Sequence, residues 1–356
     1  MRRRPWLWVI AIPVLLVIGD VAYWRYAEHQ MEAGLRLWVR QNQAAGWQTS
    51  LGPTHEGGWP LSVRLTVNGL TVQGGASDVP GGLRWHADRV DLTMDLWRPT
   101  AFNIILPAEQ RVQVGAAPEL AVTADRLVAT IPLRFQQPPD QIDVLARNLR
   151  ATPAQNPAPG EALSVGLLQA HAALLAAADQ PAPAAPREEP TLRFGFSAEA
   201  VGLPQTLRWP LGPILSSLTI DGTLNGRLPL ERGLTQAATA WRDGGGSLEI
   251  QHFAMGWGPL GLTATATLAL DDQLQPMGAG TSHVVGYAAS LDAMANDGML
   301  SRSAAIAAKA MLSLLAGTPD DGGAAEVDVP LTLQYRTLSM RQVPLVRLPE
   351  LDWPPR

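Results

Sequence analysis

Residues 58–74 read GWPLSVRLTVNGLTVQG. Trp59, Leu61, Val63, Leu65 and Val67 share one parity, and Ser62, Arg64 and Thr66 hold the other. Successive side chains of a strand point to opposite faces, so this alternation predicts a strand with one apolar and one polar face. The question it raises is what the apolar face covers: the protein's own helices, or something the protein carries.

The same period recurs outward from this stretch. Val90, Leu92, Met94 and Leu96 alternate with Arg89, Asp91, Thr93 and Asp95, and Leu127, Ala129, Ile131, Leu133 and Phe135 repeat the pattern. Leu192, Phe194, Phe196 and Ala198 do so again, and later runs occupy 218–230, 260–270 and 327–335. A polar face on each strand points to antiparallel pairing and against a parallel α/β sheet. The fold class expected is mainly β (α+β): an N-terminal transmembrane helix, then a curved, mostly antiparallel sheet with a late helical hairpin.

Some strands change phase. Leu65 and Val67 are odd but Leu70 and Val72 even, across Asn68-Gly69, and Leu248 and Ile250 give way to Phe253 and Met255. A β-bulge produces such a slip and bends the strand; Asn-Gly can instead make a two-residue hairpin. HADRVDLTMDL at 86–96 and TADRLVATIPL at 123–133 share Ala-Asp-Arg followed by alternation, a pattern fitting either duplicated strand units or chance. NPAPG at 156–160 and QPAPAAPREEP at 180–190 read as extended loops. Residues 162–178 between them fit strand or helix, with strand favoured in the first half.

Helical signals come at the two ends. Residues 25–45 carry a weak three-and-four-residue stripe and should lead to the domain, ending near Gly46. Later candidates are 233–243, 287–297 with Gly298 as the closing residue, and 301–316 with Ser301 or Ser303 as N-cap and Gly317 after the end. The last two make a hairpin able to cover part of the sheet.

MRRRP precedes WLWVIAIPVLLVIGDVAYW at residues 6–24. Nineteen helical residues rise about 28 Å, close to the hydrocarbon thickness of a bilayer. Trp6 and Trp8 at one end, and Tyr23, Trp24 and Tyr26 at the other, match interfacial aromatic belts. No small–x–small cleavage pattern follows, so an uncleaved anchor is expected, with Arg2, Arg3 and Arg4 in the cytoplasm and the domain at 46–356 in the periplasm. The chain has no cysteine, which fits that compartment without proving it.

Hydrophobic residues make up 46% of the chain and charged residues 17%, with 33 glycines and 30 prolines: a folded, turn-rich composition. A net charge of −5, with no basic block past the first four residues, argues against nucleic-acid binding. The six histidines are widely spaced, HEGGW at 55–59 lacks the second histidine of a zincin helix, and no P-loop, Rossmann or Gly-x-Ser-x-Gly motif occurs. DDGG at 320–323 and Asp271-Asp272 match no calcium loop. No catalytic, cofactor or metal residues are expected, and an enzyme is the third reading. The remaining lead is physical. Leu260, Leu262, Leu268 and Leu270 line one side of LGLTATATLAL, and together with Trp59, Leu61, Val63 and Leu65 they form a candidate apolar groove for acyl chains.

The anchor, GWPLSVRLTV, WGPLGLTATATLALD, VVGYAASLDAM and the closing PLTLQYRTLSMRQVPLVRLPELDWPP together resemble the DUF2125 proteins of alphaproteobacteria over essentially the whole chain. The likeness rests on strand patterning and on Gly, Pro and Trp positions; members are uncharacterised, so it implies no active site. ADRVDLTMDLWRPTAFNIIL is more distantly similar to the AsmA-like envelope proteins, which implies curved antiparallel strands and a part in lipid movement or outer-membrane assembly. The leading expectation is an inner-membrane protein that binds or shields phospholipid. Its rival is an interaction module with a self-buried apolar face and a strand edge that recruits another envelope protein.

Overall fold

A computed structural model describes residues 6–75, 79, 81–97, 99–133, 139–175, 190–226, 233–315, 326–340 and 343–353, with side chains of the first helix described from residue 15. Arg2, Arg3, Arg4 and Gly317 lie outside the described residues, as do the side chains of the first half of the apolar segment 6–24. Among the described residues no helix is long and apolar enough to cross a membrane.

The chain opens with one helix, α1 (Trp6–Ala44), so the apolar segment and the expected connecting helix are continuous. It closes at Gly46, whose positive φ of 86° lets the chain turn back into the sheet. Next come β1 (Gln48–Leu51), β2 (Thr54–Gly57), β3 (Ser62–Gly74), β4 (Leu83–Asp95), β5 (Ala101–Ile105), β6 (Gln110–Val114), β7 (Leu120–Thr123), β8 (Arg126–Pro132) and β9 (Gln141–Pro153). Then follow β10 (Leu163–Leu174), β11 (Pro190–Gly202), β12 (Ile214–Asn225), α2 (Leu234–Asp243), β13 (Ser247–Trp257), β14 (Leu260–Leu270) and β15 (Pro276–Val285). The chain ends with α3 (Tyr287–Asn296), α4 (Arg302–Leu315), β16 (Glu326–Gln334), β17 (Thr337–Met340) and β18 (Val343–Arg347). The ambiguous segment 162–178 is strand from Leu163 to Leu174. At α4, Ser301 is the cap: its Oγ accepts the Ala304 N–H at 3.1 Å.

Among the described residues eighteen strands form one sheet, and every pairing is antiparallel. Three ranks hold two collinear strands each. β1 and β2 lie along β3, β5 and β6 along β4, and β7 and β8 along β9. With these grouped, the sheet is an up-and-down meander of fifteen ranks in chain order. At the spacing of paired strands, its length across the ranks is about 65 Å.

The interruptions fall on a line. Gly52, Gly69 and Asp88 sit at successive register positions, and so do Asp125, Asn148, Gly166, Ala200 and Ser216 farther along. Gly69, Asn148 and Ala200 have φ of 72°, 49° and 51°. Each such residue turns its strand, so two positions instead of one separate consecutive inward side chains: Val67 then Leu70, Ala198 then Val201. The apolar residues therefore stay on one side across the crease. Asn68-Gly69 is thus neither a hairpin nor a one-strand bulge, because β4 slips at Asp88-Arg89 in step and the β3–β4 register is kept. The slip at 251–252 is a bulge, with register lost against both neighbours. Both copies of Ala-Asp-Arg lie on the crease, and Asp125 accepts a hydrogen bond from Asn148 Nδ2 at 2.6 Å.

Among the described residues the helices lie over the first ranks of the sheet and over β12 to β16, leaving the ranks between uncovered. α1 packs on β1 and β3, α2 and α3 on β14, and α4 on β16. Ala27 and Met31 of α1 are buried over Val63, Leu65, Val67 and Leu92, and Trp24 Nε1–H donates to the Ser62 carbonyl at 3.1 Å. A second core, of Val165, Ala198, Val201 and Leu215, lies mid-sheet. Tyr287, Val327, Val329 and Met340 form a third with the α3–α4 hairpin, which covers its neighbouring strands and not the sheet as a whole.

Candidate functional site

Register turns separate apolar residues into a continuous feature. Leu65 faces Leu92, and the row continues through Ile104, Ala129, Val144, Ala170, Phe196, Ile220, Phe253, Ala264 and Ser282 to Val329. Eleven of these twelve side chains are apolar, and the row runs about 50 Å. A parallel row joins Leu127, Ala146, Leu168, Ala198, Leu218, Met255, Leu262, Val284 and Val327. Burial along the first row follows the helices. Leu65 and Leu92 are buried beneath α1 and Val329 beneath the hairpin, whereas everything from Ile104 to Ala264 is only half-buried.

Over β5 to β12, that half-burial comes from neighbours within the sheet. Small residues flank the rings: Phe196 has Ala170 on one side and Ile220 on the other, and Phe194 lies between Ala172 and Gly222. A Cβ at Gly222 would sit 2.8 Å from Phe194 Cζ and 2.5 Å from the Glu249 carbonyl oxygen, so glycine makes room for the ring. The opposite face is mostly polar, apart from a patch of Ile105, Val128 and Leu145.

At the α2 end the face deepens into a cavity of about 340 Å³. Its walls include Leu224, Trp241, Leu248, Leu268, Leu270 and Trp353, and every lining residue is apolar. Trp241 is fixed by its Nε1–H to the Asn225 carbonyl at 2.7 Å, and Trp353 by its own to Leu274 O at 2.9 Å. The neighbouring cavity is mixed, with Asp243, Asp271 and Asp272 around Arg242 and Leu270, Met277 and Tyr335 beside them. That guanidinium is already engaged by Asp243 and by two main-chain carbonyls, so the rim does not suit an anionic group.

The eight expected groove residues divide three ways. Leu260, Leu262, Leu268 and Leu270 lie half-buried on one face of β14, the last two in the apolar cavity. Val63 and Leu65 are fully buried under α1, so they are core at the covered end of this face and not open groove. Trp59 and Leu61 are not on the strand: β3 begins at Ser62, and the turn before it leaves both exposed. Phe194, Phe196, Ile220 and Phe253 were readable as apolar strand positions, but only register brings them together.

Among the described residues three ionisable groups are shifted from their ordinary pKa by their surroundings. Burial, then the adjoining Glu56, pushes the Glu28 carboxyl up where α1 meets β2, against the pull of Arg25. Burial also acts to raise Asp91, but hydrogen bonds from Arg89 and Thr66 outweigh it and hold the carboxyl below its ordinary range. The hydrogen bond to Asp328, opposed by desolvation and helped by Glu326, raises His283. Among the described residues no three His, Cys, Asp or Glu side chains are grouped to hold a metal ion.

Fold and site together define an open, single-sheet β protein with one long apolar face, covered by helices over its first ranks and again over β12 to β16. Residues 24–349 match the model of a family described as an uncharacterized protein conserved in bacteria, DUF2125, and the chain belongs to that family. No curated protein and no solved structure matches it.

Proposed function

We propose that this protein is anchored in a bacterial inner membrane by the first part of α1 and holds the acyl chains of phospholipid on the uncovered face of a periplasmic sheet, in service of the envelope. The observation that carries the reading is the stretch of the apolar row from Ile104 to Phe196, half-buried with no helix packed on β5 to β11 among the described residues. Acyl chains suit such a surface because they need apolar contact without specific hydrogen bonds, and a continuous row lets them lie anywhere along its open stretch. The exposed apolar side chains Leu15, Leu16, Val17 and Ile18 support the anchor. The distant similarity to AsmA-like proteins points the same way as fold-level analogy.

The rival reading draws on β18, which is paired on one side only among the described residues and exposes Leu345 and Val346. Such an edge can take a strand from another envelope protein. In-cell photocrosslinking separates the two. A benzophenone side chain at Phe196 or Ile220 should give phospholipid adducts, while one at Ser197 or Thr219, on the other face, should not. Protein adducts at Leu345 with no lipid at Phe196 or Ile220 would favour the rival.

A further inference from the structure

The corner of the sheet from which α1 emerges carries a second feature, and it rests on the reading of α1 as a membrane anchor. α1 lies along β3: Trp24 meets Ser62 at the start of the strand, and Trp47 lies against Gly74 at its end. Residues 6–23 therefore project beyond the β3–β4 end of the sheet, by about 27 Å of helix. The loops at that end are unusually apolar. The turn before β3, closed by Ser62 N–H to the Gly58 carbonyl at 3.0 Å, leaves Trp59 50% and Leu61 65% exposed. Leu61 O accepts the Leu96 N–H at 3.1 Å, and the next residue, Trp97, is 70% exposed. On the helix itself Tyr23 and Tyr26 are exposed on either side of the docked Trp24.

We infer that Trp59, Leu61 and Trp97 form a collar that sits in the interfacial layer of the same bilayer, so that the sheet stands end-on against the membrane beside its own anchor. Single exposed apolar residues are ordinary on protein surfaces, but these three converge where an apolar helix leaves the domain. Indole rings favour the headgroup region, where one edge is apolar and the N–H stays wet. Apolar and aromatic side chains make up this surface, and Arg25 on the helix beside them pairs with Glu28 and Glu56 at 3.5 Å each. The apolar row's first two members, Leu65 and Leu92, are roofed by α1, and its open stretch begins at Ile104 on the next rank.

The chain has no cysteine, so single nitroxide labels can be placed without background. Full-length Leu61→Cys, Trp97→Cys, Val17→Cys and Leu120→Cys proteins, labelled and reconstituted in phosphatidylcholine vesicles, would be compared by power-saturation EPR. Labels at 61 and 97 should collide with oxygen more than with a soluble nickel chelate, as at 17, while the label at 120, on β7 at the opposite end, stays open to nickel. Labels at 61 and 97 as open to nickel as that at 120, with 17 immersed, would overturn the collar and leave the anchor standing. If the label at 17 is also in water, the anchor reading fails and takes the collar with it.

Discussion

Leu65→Ala is the sharpest probe of how the first strand is used. Leu65 is 1% exposed, flanked across the sheet by Leu92 and roofed by α1. The substitution removes three carbons; at about 0.8 kcal/mol per buried methylene that is roughly 2.5 kcal/mol from transfer alone. The site has little room to collapse, because the Trp24–Ser62 hydrogen bond pins the helix over it and its neighbours are themselves core. The cavity term then brings the cost to about 3–5 kcal/mol. Leu61→Ala, at an exposed turn position of the same parity, should stay within about 0.5 kcal/mol. Hydrogen exchange by mass spectrometry gives the local readout. Peptides from β3 and β4 should exchange more than about a hundredfold faster in Leu65→Ala, while peptides from β10 to β12 stay nearly unchanged, as a sheet of nearest-neighbour ranks implies. Equal effects of the two substitutions would refute the claim that the strand and its core begin only after Leu61.

Ala200→Gly should raise the melting temperature by relieving a non-glycine residue at φ 51°, a gain of up to about 1 kcal/mol, and Gly69→Ala should lose about as much, since open space at its Cβ leaves only backbone strain. Glu28 takes up its proton more readily in the folded protein, so its stabilising share is full in acid and is lost as pH rises through the raised folded value. Glu28→Gln should therefore strengthen α1 docking near pH 7 by about 1 kcal/mol and flatten its pH dependence, read from exchange of β1 and β3 amides. His283, also raised, stabilises below the ordinary histidine value of 6.5 and loses that contribution as pH climbs above it. Because the pair is exposed, the effect should be under about 0.5 kcal/mol, visible as a high NMR titration midpoint for its ring and absent in His283→Gln melts.

Much of this was legible in the sequence, because period-2 alternation reports a local fact: which way each side chain points. The longer alternating strands such as β3, β4, β11 and β14, the late hairpin and a serine cap at 301 or 303 follow from neighbours a few residues apart, whereas short strands such as β5, β6 and β7 carry too few alternations to stand out. What alternation cannot report is register. Phe196 and Ile220 become one row only when Ala198 pairs with Leu218, and Leu65 joins them through pairings spread over more than a hundred residues. Trp59 and Leu61 show the opposite failure. Their parity matches Val63, but the turn at Gly58–Leu61 ends the strand, so matching parity no longer means a shared face. The crease was visible as phase slips at Asn68-Gly69, yet its matching partner at Asp88-Arg89 is what distinguishes a line across the sheet from a single bulge.

The most direct test of the account is native mass spectrometry of the full-length protein released from detergent micelles, beside Phe196→Arg and Ile220→Arg. Bound phospholipid in stoichiometric amount on the unmodified chain, lost from both variants while their fold persists by circular dichroism, is the predicted result. A lipid-free spectrum for the unmodified chain, or lipid retained equally with arginine at both positions, would contradict it.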